Sequence, residues 1–346
     1  MKIANFDLDG AKTFIIAELS ANHNQQLELA YKTIDAMHTA GADAVKLQTY
    51  TADTLTLDCR NEYFQPIKQG LWKGKTGYEL FQQAYTPWEW QPELKTYIES
   101  LGMICFSSPF DHTAVDFLED IDVPAYKIAS FEITDIPLIE YTASKGKPMI
   151  MSTGIAHRDD IDEALAACSR MGNEDVALLK CTSAYPSPYN EINLLTIPKY
   201  QKVFKCTIGL SDHTLGSAVS IAAVALGAQI VEKHFILDRG MGGPDSAFSM
   251  EPDEFKQMVD GIRQVEQALG EATFDLTPKA EQGRNSRRSL FVVEEINAGE
   301  TFTEKNVRSI RPGNGLAPKH LTEIIGKRAT VQIDRGTPIS WDHIES

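Results

Sequence analysis

The stretch TIGLSDHTLGSAVSIAAVALGAQIVEKHF (207–235) holds two short apolar runs, each ending in a polar cluster with one histidine, on either side of a segment with helical periodicity. His213 closes the first run and His234 closes the second, 21 residues later. A strand, a helix ended by Gly227-Ala228 and a second strand account for this pattern, since glycine is the residue that tolerates the turn after a helix. Two strands joined by a helix are parallel, so both histidines stand at the same end of one sheet.

Working outward, six more apolar runs precede these two: FIIAELS (14–20), AVKLQTY (44–50), MICFSSPF (103–110), AYKIAS (125–130), PMIMSTG (148–154) and VALLKCTS (176–183). Most gaps hold one helix, as in LELAYKTIDAMHTAGA (27–42), where Gly41-Ala42 again marks a helix end. Eight nearly continuous apolar strands alternating with helices predict an α/β fold, a parallel sheet closed into a (β/α)8 TIM barrel. An open doubly wound sheet is the other arrangement this alternation allows. The segment 252–270 closes the pattern with a helical stripe of Phe255, Met258, Val259, Ile262, Val265 and Leu269, so the barrel is expected over 1–270. Residues 271–286 are polar and read as a linker, and from Arg287 to Ser346 short strands and turns predict a small β-rich domain.

One gap is too long for a simple crossover. Residues 51–102 include the aromatic-rich insert NEYFQPIKQGLWKGKTGYELFQQAYTPWEW (61–90), which follows the C-terminal end of the second strand. That is the functional face of a barrel, so the insert is either a wall or lid of a site, or an extra helix on the barrel side.

Composition narrows the function classes. The net charge of −15 lacks the basic footprint of a general nucleic-acid binder. Residues 286–346 hold nine Lys+Arg against eight Asp+Glu, which leaves 33 − 9 = 24 against 48 − 8 = 40 in residues 1–285. A near-neutral tail thus follows an acidic body. No apolar run approaches the roughly 20 residues that span a bilayer, and the start lacks a signal-peptide pattern, so a cytoplasmic, membrane-free protein is expected. The five cysteines have no paired spacing, which suggests neither a disulfide framework nor a thiolate zinc site.

The C-terminal ends of barrel strands converge on one mouth. Those ends supply Glu18 with Asn22 and His23, Lys46 with Gln48, Ser107 with Ser108, Lys127 with Ser130 and Glu132, and Ser152 with Thr153. The later strands add Ser183 with Tyr185, Ser211 with His213, and Glu232 with His234. Two imidazoles meeting across a mouth with carboxylates nearby point to a divalent metal, although a lone histidine there is more often a hydrogen-bonded core residue. Lys46 and Lys127 among hydroxyl donors suit a phosphate or carboxylate, the alternative being structural pairing with Glu18 or Glu132. The loop DRGMGGPD (238–245) lacks the spacing of a dinucleotide fingerprint and is read as a flexible segment that places Asp245.

The ordered set IAELSANHNQ, VKLQTY, FSSPFD, YKIASFEI, STG, CTSAYPSP, GLSDHT, EKHF and RGMGGPD resembles the sialic acid synthase family, which condenses phosphoenolpyruvate with an N-acetylated amino sugar. RRSLF, IRPGNGLAP and IIGKRA resemble that family's antifreeze-like (SAF) domain. The resemblance covers nearly the whole chain and implies residue roles. His213 and His234 would bind a divalent metal, Mn2+ or Mg2+ or else Co2+. Lys46, Lys127, Ser130, Ser152, Ser211 and, less securely, Ser183 would hold phosphoenolpyruvate. Gln48, Glu132, Tyr185 and Asp245 would contact the sugar, and Glu18 would handle the attacking water's proton, with Glu132 a second catalytic carboxylate. Arg311 would reach from the SAF domain into the partner's site of a homodimer.

Departures from the family pattern narrow the acceptor. Typical members read closer to EIGVNHNG and SGE where this chain has ELSANHNQ and SFE. Together with the insert, these resemble the branch whose acceptor is 2,4-diacetamido-2,4,6-trideoxy-L-altrose. Acceptors of the N-acetylmannosamine type are the alternative. Synthases that use arabinose 5-phosphate or erythrose 4-phosphate would need a further basic cluster, which the sequence lacks. A non-catalytic carbohydrate-binding protein would leave the paired histidines and lysines without a use.

Overall fold

The computed structural model describes residues 1–10 and 12–345. Eight parallel strands close into a barrel: β1 (Phe14–Glu18), β2 (Ala44–Thr49), β3 (Ile104–Pro109), β4 (Tyr126–Ile128), β5 (Met149–Ser152), β6 (Val176–Cys181), β7 (Thr207–Asp212) and β8 (Ile230–His234). Each coincides with one of the eight apolar runs. Closure comes from β8 pairing with β1 as well as with β7, which rules out the open sheet.

The two-residue pleat assigns every strand side chain to one of two places. Ile15, Ala17, Val45, Leu47 and Val231 face outward into the layer under the helices Leu27–Ala40 and Pro252–Leu269. Phe14, Ile16, Ala44, Ile104, Phe106, Ile150, Leu179 and Ile230 face inward and fill the lower barrel, and Ile3 and Leu8 of the N-terminal hairpin join them to seal that end. The inward series therefore turns polar only at the C-terminal ends.

The first barrel helix, Leu27–Ala40, buries Leu29, Ala30, Thr33, Ile34, Met37 and Ala40, a three-to-four-residue spacing. It ends at Gly41, whose φ of 92° lets its N–H return to Met37 and His38 carbonyls. The closing helix Pro252–Leu269 buries Phe255, Met258, Val259 and Ile262, with Val265 packed at its edge; Leu269, placed in the same stripe by its spacing, is exposed because the helix stops there. Its start is specified by Pro252 in the first turn and a Glu251/Glu254 capping box.

Two compact units follow from the chain's own contacts, Met1–Gly270 and Glu271–Ser346. In the second, residues 271–286 are exposed but include a helix, Pro278–Gly283. β9 (Ser289–Val292) pairs antiparallel with β10 (Val307–Ile310), over a core of Leu290, Ile296, Phe302, Ile324 and Ile339. Its strands are few and short, and isolated bridges such as Ile296 to Ile333 supply much of the remaining pairing. No helix among the described residues is long and apolar enough to cross a membrane.

Gly209 shows how tightly the barrel interior closes. A Cβ there would lie 2.5 Å from the Ile230 carbonyl oxygen on β8 and 2.6 Å from Leu179 Cδ2 on β6. The Ile230 carbonyl cannot withdraw without parting paired strands, and the Leu179 side chain is confined within the filled barrel interior. Gly209→Ala is expected to destabilise the protein by about 2–3 kcal/mol through overpacking, measurable as a lower denaturant midpoint, whereas a midpoint unchanged from wild type would show that the strands separate freely.

Candidate active site

The polar layer of the barrel interior opens into a cavity of about 600 Å3. Thirteen of the fourteen residues to which the family resemblance gives a role line it: Glu18, Lys46, Gln48, Lys127, Ser130, Glu132, Ser152, Ser183, Tyr185, Ser211, His213, His234 and Asp245. Arg311 is the exception. It is exposed, lies in the second unit just beyond β10, and is not among the residues that line the cavity.

Two buried lysines form the floor, and both are matched by carboxylates. Lys46 Nζ lies 2.9 Å from Glu18 Oε1 and 3.5 Å from Glu232 Oε2, while Lys127 Nζ lies 3.7 Å from Glu232 Oε1 and donates to Ser152 Oγ at 2.7 Å. Burial works against the Lys46 charge, yet Glu18 and Glu232 outweigh it and raise the pKa. For Lys127 burial prevails and the pKa falls. The sequence reading offered pairing with Glu18 or Glu132 as the structural alternative for the lysines; the observed partners are Glu18 and Glu232.

Glu232 was noted only as a strand-end neighbour of His234. Its central place follows from register, because it sits opposite Ser211 on β7 and Ile16 on β1 and so points inward. Ser211 Oγ donates to it at 2.9 Å. Parity along EKH, counted from His234, carries that signal.

Glu18 is held on three sides. Gln48 Nε2 donates to Oε1 at 2.7 Å, Lys46 shares that oxygen, and His234 Nε2 lies 3.1 Å from Oε2. Although burial opposes ionisation, His234 and Lys46 prevail and hold its pKa well below the usual carboxylate range. Glu132 is the opposite case: burial outweighs the attraction of Lys127 and pushes its pKa up to about 7, and its Oε2 is buried without a hydrogen-bond partner. Two carboxylates in one mouth are thus driven apart in acidity by their surroundings.

A small cradle forms where three loops meet. Gly154 N–H donates to Ser130 Oγ at 3.1 Å, and a Cβ on Gly154 would lie 2.1 Å from Ser183 Oγ and 2.7 Å from Ser130 Oγ. Only glycine admits both hydroxyls. The Ser183 hydroxyl is itself buried and unpartnered, leaving a donor for an anion brought from outside.

His213 and His234 close the opposite side, with ring centroids 5.3 Å apart. His213 Nδ1 lies 3.1 Å from the Thr182 carbonyl, which can only accept, so Nε2 carries the free lone pair. Burial lowers the pKa of His234 despite Glu18, and its Nδ1 is buried without a partner. With Nδ1 of His213 turned to Thr182 and Nδ1 of His234 unpartnered, one nitrogen of each ring is left to face a divalent cation. Among the described residues no group of three or more His, Cys, Asp or Glu side chains forms a ready-made site, so other positions on such an ion would come from water or substrate. Cys181 packs beside His213 at 3.8 Å; burial raises its pKa, but His213 and neighbours outweigh that and bring it to about 7.

The long insert forms a wall. Its Ile67, Trp72, Leu80 and Phe81 line the cavity together with Leu55, Phe110 and Phe131 from outside it. Phe131, 58% exposed, stands at the rim. Asn22 and His23 instead serve the loop after β1: Asn22 Nδ2 donates to Phe235 O and Ser249, and His23, its pKa lowered by burial to about 4, bonds Thr86. Ser107 points away from the cavity toward Thr49.

Known proteins align with this architecture. Residues 33–274 match the NeuB family and residues 287–345 the SAF domain. The chain is 48% identical over 333 residues to a pseudaminic acid synthase of Helicobacter pylori, covering 96% of this chain and 97% of that protein. It is 36% identical over 323 residues to an N,N'-diacetyllegionaminic acid synthase of Campylobacter jejuni, covering 92% and 96%. The crystal structure of an N-acetylneuraminic acid (sialic acid) synthetase from Leptospira borgpetersenii, in complex with citrate, superposes with a TM-score of 0.73 at 30% identity, over 82% of this chain and 94% of that one.

The raised pKa of Glu132 is open to direct measurement. A carboxyl titration by isotope-edited infrared spectroscopy is expected to contain one buried group with a midpoint near 7, missing from Glu132→Gln, whereas midpoints all below 6 would contradict the desolvation argument.

Proposed function

The chain belongs to the NeuB family, and from that premise we propose that it condenses phosphoenolpyruvate with 2,4-diacetamido-2,4,6-trideoxy-L-altrose and water, giving pseudaminic acid and phosphate. The observation that carries this reading is one cavity with a cationic, hydroxyl-rich floor and an apolar wall. A small, multiply anionic donor suits the floor. An acceptor with a 6-methyl group and two acetamido groups suits the wall, where a hydroxylated sugar would leave polar groups unpaired. The whole-length likeness to the Helicobacter pylori enzyme supports the same acceptor over that of the legionaminic synthase.

Lys46 and Lys127, with Ser130, Ser152, Ser183 and Ser211, are assigned to the carboxylate and phosphate of the donor. They bring two charges of the same sign close together in one molecule, which only preorganised cations and donors do without reorganisation cost. Gln48, Tyr185 and Asp245 are assigned to the acceptor and align its aldehyde carbon with C3 of the enol. A divalent ion held by His213 and His234, Mn2+ or Mg2+ or else Co2+, would act as a Lewis acid on the aldehyde oxygen.

Bond formation from C3 to the aldehyde carbon leaves an oxygen that takes up a proton and a C2 centre that water attacks. Phosphate then departs with the electrons of its C–O bond to C2. Of the two carboxylates, Glu18 is locked as an anion by Lys46, His234 and Gln48 and serves as a fixed charge that holds the lysine in place. Glu132, with its pKa near 7, is the group able to take a proton from water at neutral pH. Arg311 is assigned to the site of a partner subunit, which makes a homodimer part of the proposal.

Phosphate release from phosphoenolpyruvate with Mn2+ is expected with the trideoxy altrose, to be abolished by EDTA, and to be at least tenfold slower with N-acetylmannosamine. Preference for N-acetylmannosamine would assign the protein to the sialic acid branch, and release unaffected by EDTA would remove the metal from the proposal. If Glu132 is the base, activity is expected to rise with pH through about 7 as it deprotonates. Glu132→Gln should lose that limb together with 10²–10⁴-fold in kcat; retention of the limb would show that Glu132 is not the base, since Glu18, held well below the usual carboxylate range, cannot produce it.

A further inference from the structure

Asp245, assigned above to the acceptor, sits on a segment with little rigidity of its own. It follows Gly242 and Gly243, whose φ values of 70° and 118° are open to glycine alone or nearly so. What fixes the Pro244-Asp245 corner comes from elsewhere in the chain. Ser20 Oγ donates to Asp245 Oδ2, and the Ala21 N–H donates to the same oxygen at 3.3 Å. From the insert, Trp72 Nε1 donates to the Pro244 carbonyl at 2.8 Å across 172 residues of chain.

Both contacts carry marks of a built feature. Ser20 holds a φ of 47°, a left-handed conformation that a Cβ makes unfavourable, and it does so on the cavity wall. The strain places a hydroxyl on Asp245. Trp72 packs against Tyr185, a second acceptor-assigned residue, with ring centroids 5.8 Å apart and planes tilted by 50°, so the one indole meets two parts of the same subsite. Trp72 and Pro244 also line a second hollow of about 440 Å3, in addition to the main cavity. Their hydrogen bond is therefore part of the partition between the two spaces.

We propose that Ser20 and Trp72 are positioning residues that fix the Pro244-Asp245 corner from two sides and thereby set acceptor selectivity, with the partition limiting the room beside the acceptor. The inference rests on the acceptor reading above. In this proposal the acceptor's C6 faces the partition, so that a 6-deoxy sugar leaves it closed and an added 6-hydroxyl requires it to open.

The test uses full-length protein with Ser20→Gly, Trp72→Phe and Trp72→Ala, steady-state kinetics for phosphoenolpyruvate and acceptor separately, and thermal midpoints. The acceptors are the trideoxy altrose and its 6-hydroxy counterpart. Ser20→Gly relieves the backbone, so its midpoint should equal or exceed wild type while KM for the trideoxy sugar rises at least fivefold. Trp72→Phe keeps an aromatic ring but removes the N–H, and should raise the same KM without loss of midpoint. Trp72→Ala should narrow the preference between the two sugars at least tenfold. KM for phosphoenolpyruvate should stay within twofold throughout, because the floor lysines and serines do not touch the corner.

Acceptor KM within twofold of wild type in both Ser20→Gly and Trp72→Phe would overturn the inference. Parallel increases in both KM values would overturn it too, by showing a general support of the mouth. Failure of wild type to use either altrose sugar would overturn the acceptor reading instead, and the corner would then be judged by the same variants on the KM of N-acetylmannosamine.

Discussion

Two lysine ammonium groups are buried at the centre of the barrel mouth, and a buried charge without a partner is costly enough to deprotonate or to unfold its surroundings. Glu18 and Glu232 resolve that problem for Lys46 and Lys127. The quartet is neutral as a whole when all four are ionised, so the resting site is stable without a ligand. It is also poised, because the cations are held by carboxylates, the Ser152 hydroxyl and the Ile128 carbonyl, with no anion of higher charge among their partners. A donor carrying phosphate and carboxylate brings the oxygen atoms needed to share them. Stability of the empty site and affinity for a multiply charged substrate thus come from the same four side chains.

The barrel makes this quartet attainable. Each of its members stands near the C-terminal end of a strand and shares the inward parity of the apolar layers beneath it, so a one-residue slip in any strand would send a charge into the helix-facing core. Gly209 and the apolar inward series keep the strands close, and the hairpin at Ile3 and Leu8 seals the far end. Asp212 and Lys233 show what the other parity does. They point away from the cavity, pair at 2.7 Å, and Lys233 also holds the Thr214 and Gly216 carbonyls, which fastens the loop that carries His213. Alternate residues of SDH and EKH therefore divide between chemistry and support.

Most of this was legible in the sequence because it is local. The strands FIIAE, AVKLQT and TIGLSD are apolar runs bounded by turns, and counting back by two from His213 and His234 identifies inward residues without any knowledge of the fold beyond its class. The same count reaches Glu232, yet its pairing with two lysines on other strands follows from closure of the barrel and not from any spacing along the chain. The acidities of Glu18 and Glu132 were not legible. Both are carboxylates at strand ends; only the three-dimensional count of cations against buried surface separates an anion fixed by Lys46 and His234 from a group with a pKa near 7.

The insert was the least legible part, and the reason is its contact distance along the chain. Its aromatic composition was compatible with a wall or with packing on the barrel side, and nothing within residues 61–90 distinguishes the two. The decision lies in Trp72, which meets the Pro244 carbonyl and the Tyr185 ring, and in Ser20, which meets Asp245 from the other end of the chain. Strand ends hold the charges that any donor of this type demands, so they are constrained by the chemistry and by the pleat together. Loops outside the strands are free of the pleat, and a hydroxyl or an indole placed there alters which sugar fits while leaving the quartet untouched. Selectivity accordingly resides where sequence periodicity carries no signal, and a common catalytic floor can serve different acceptors by changing only what stands above it.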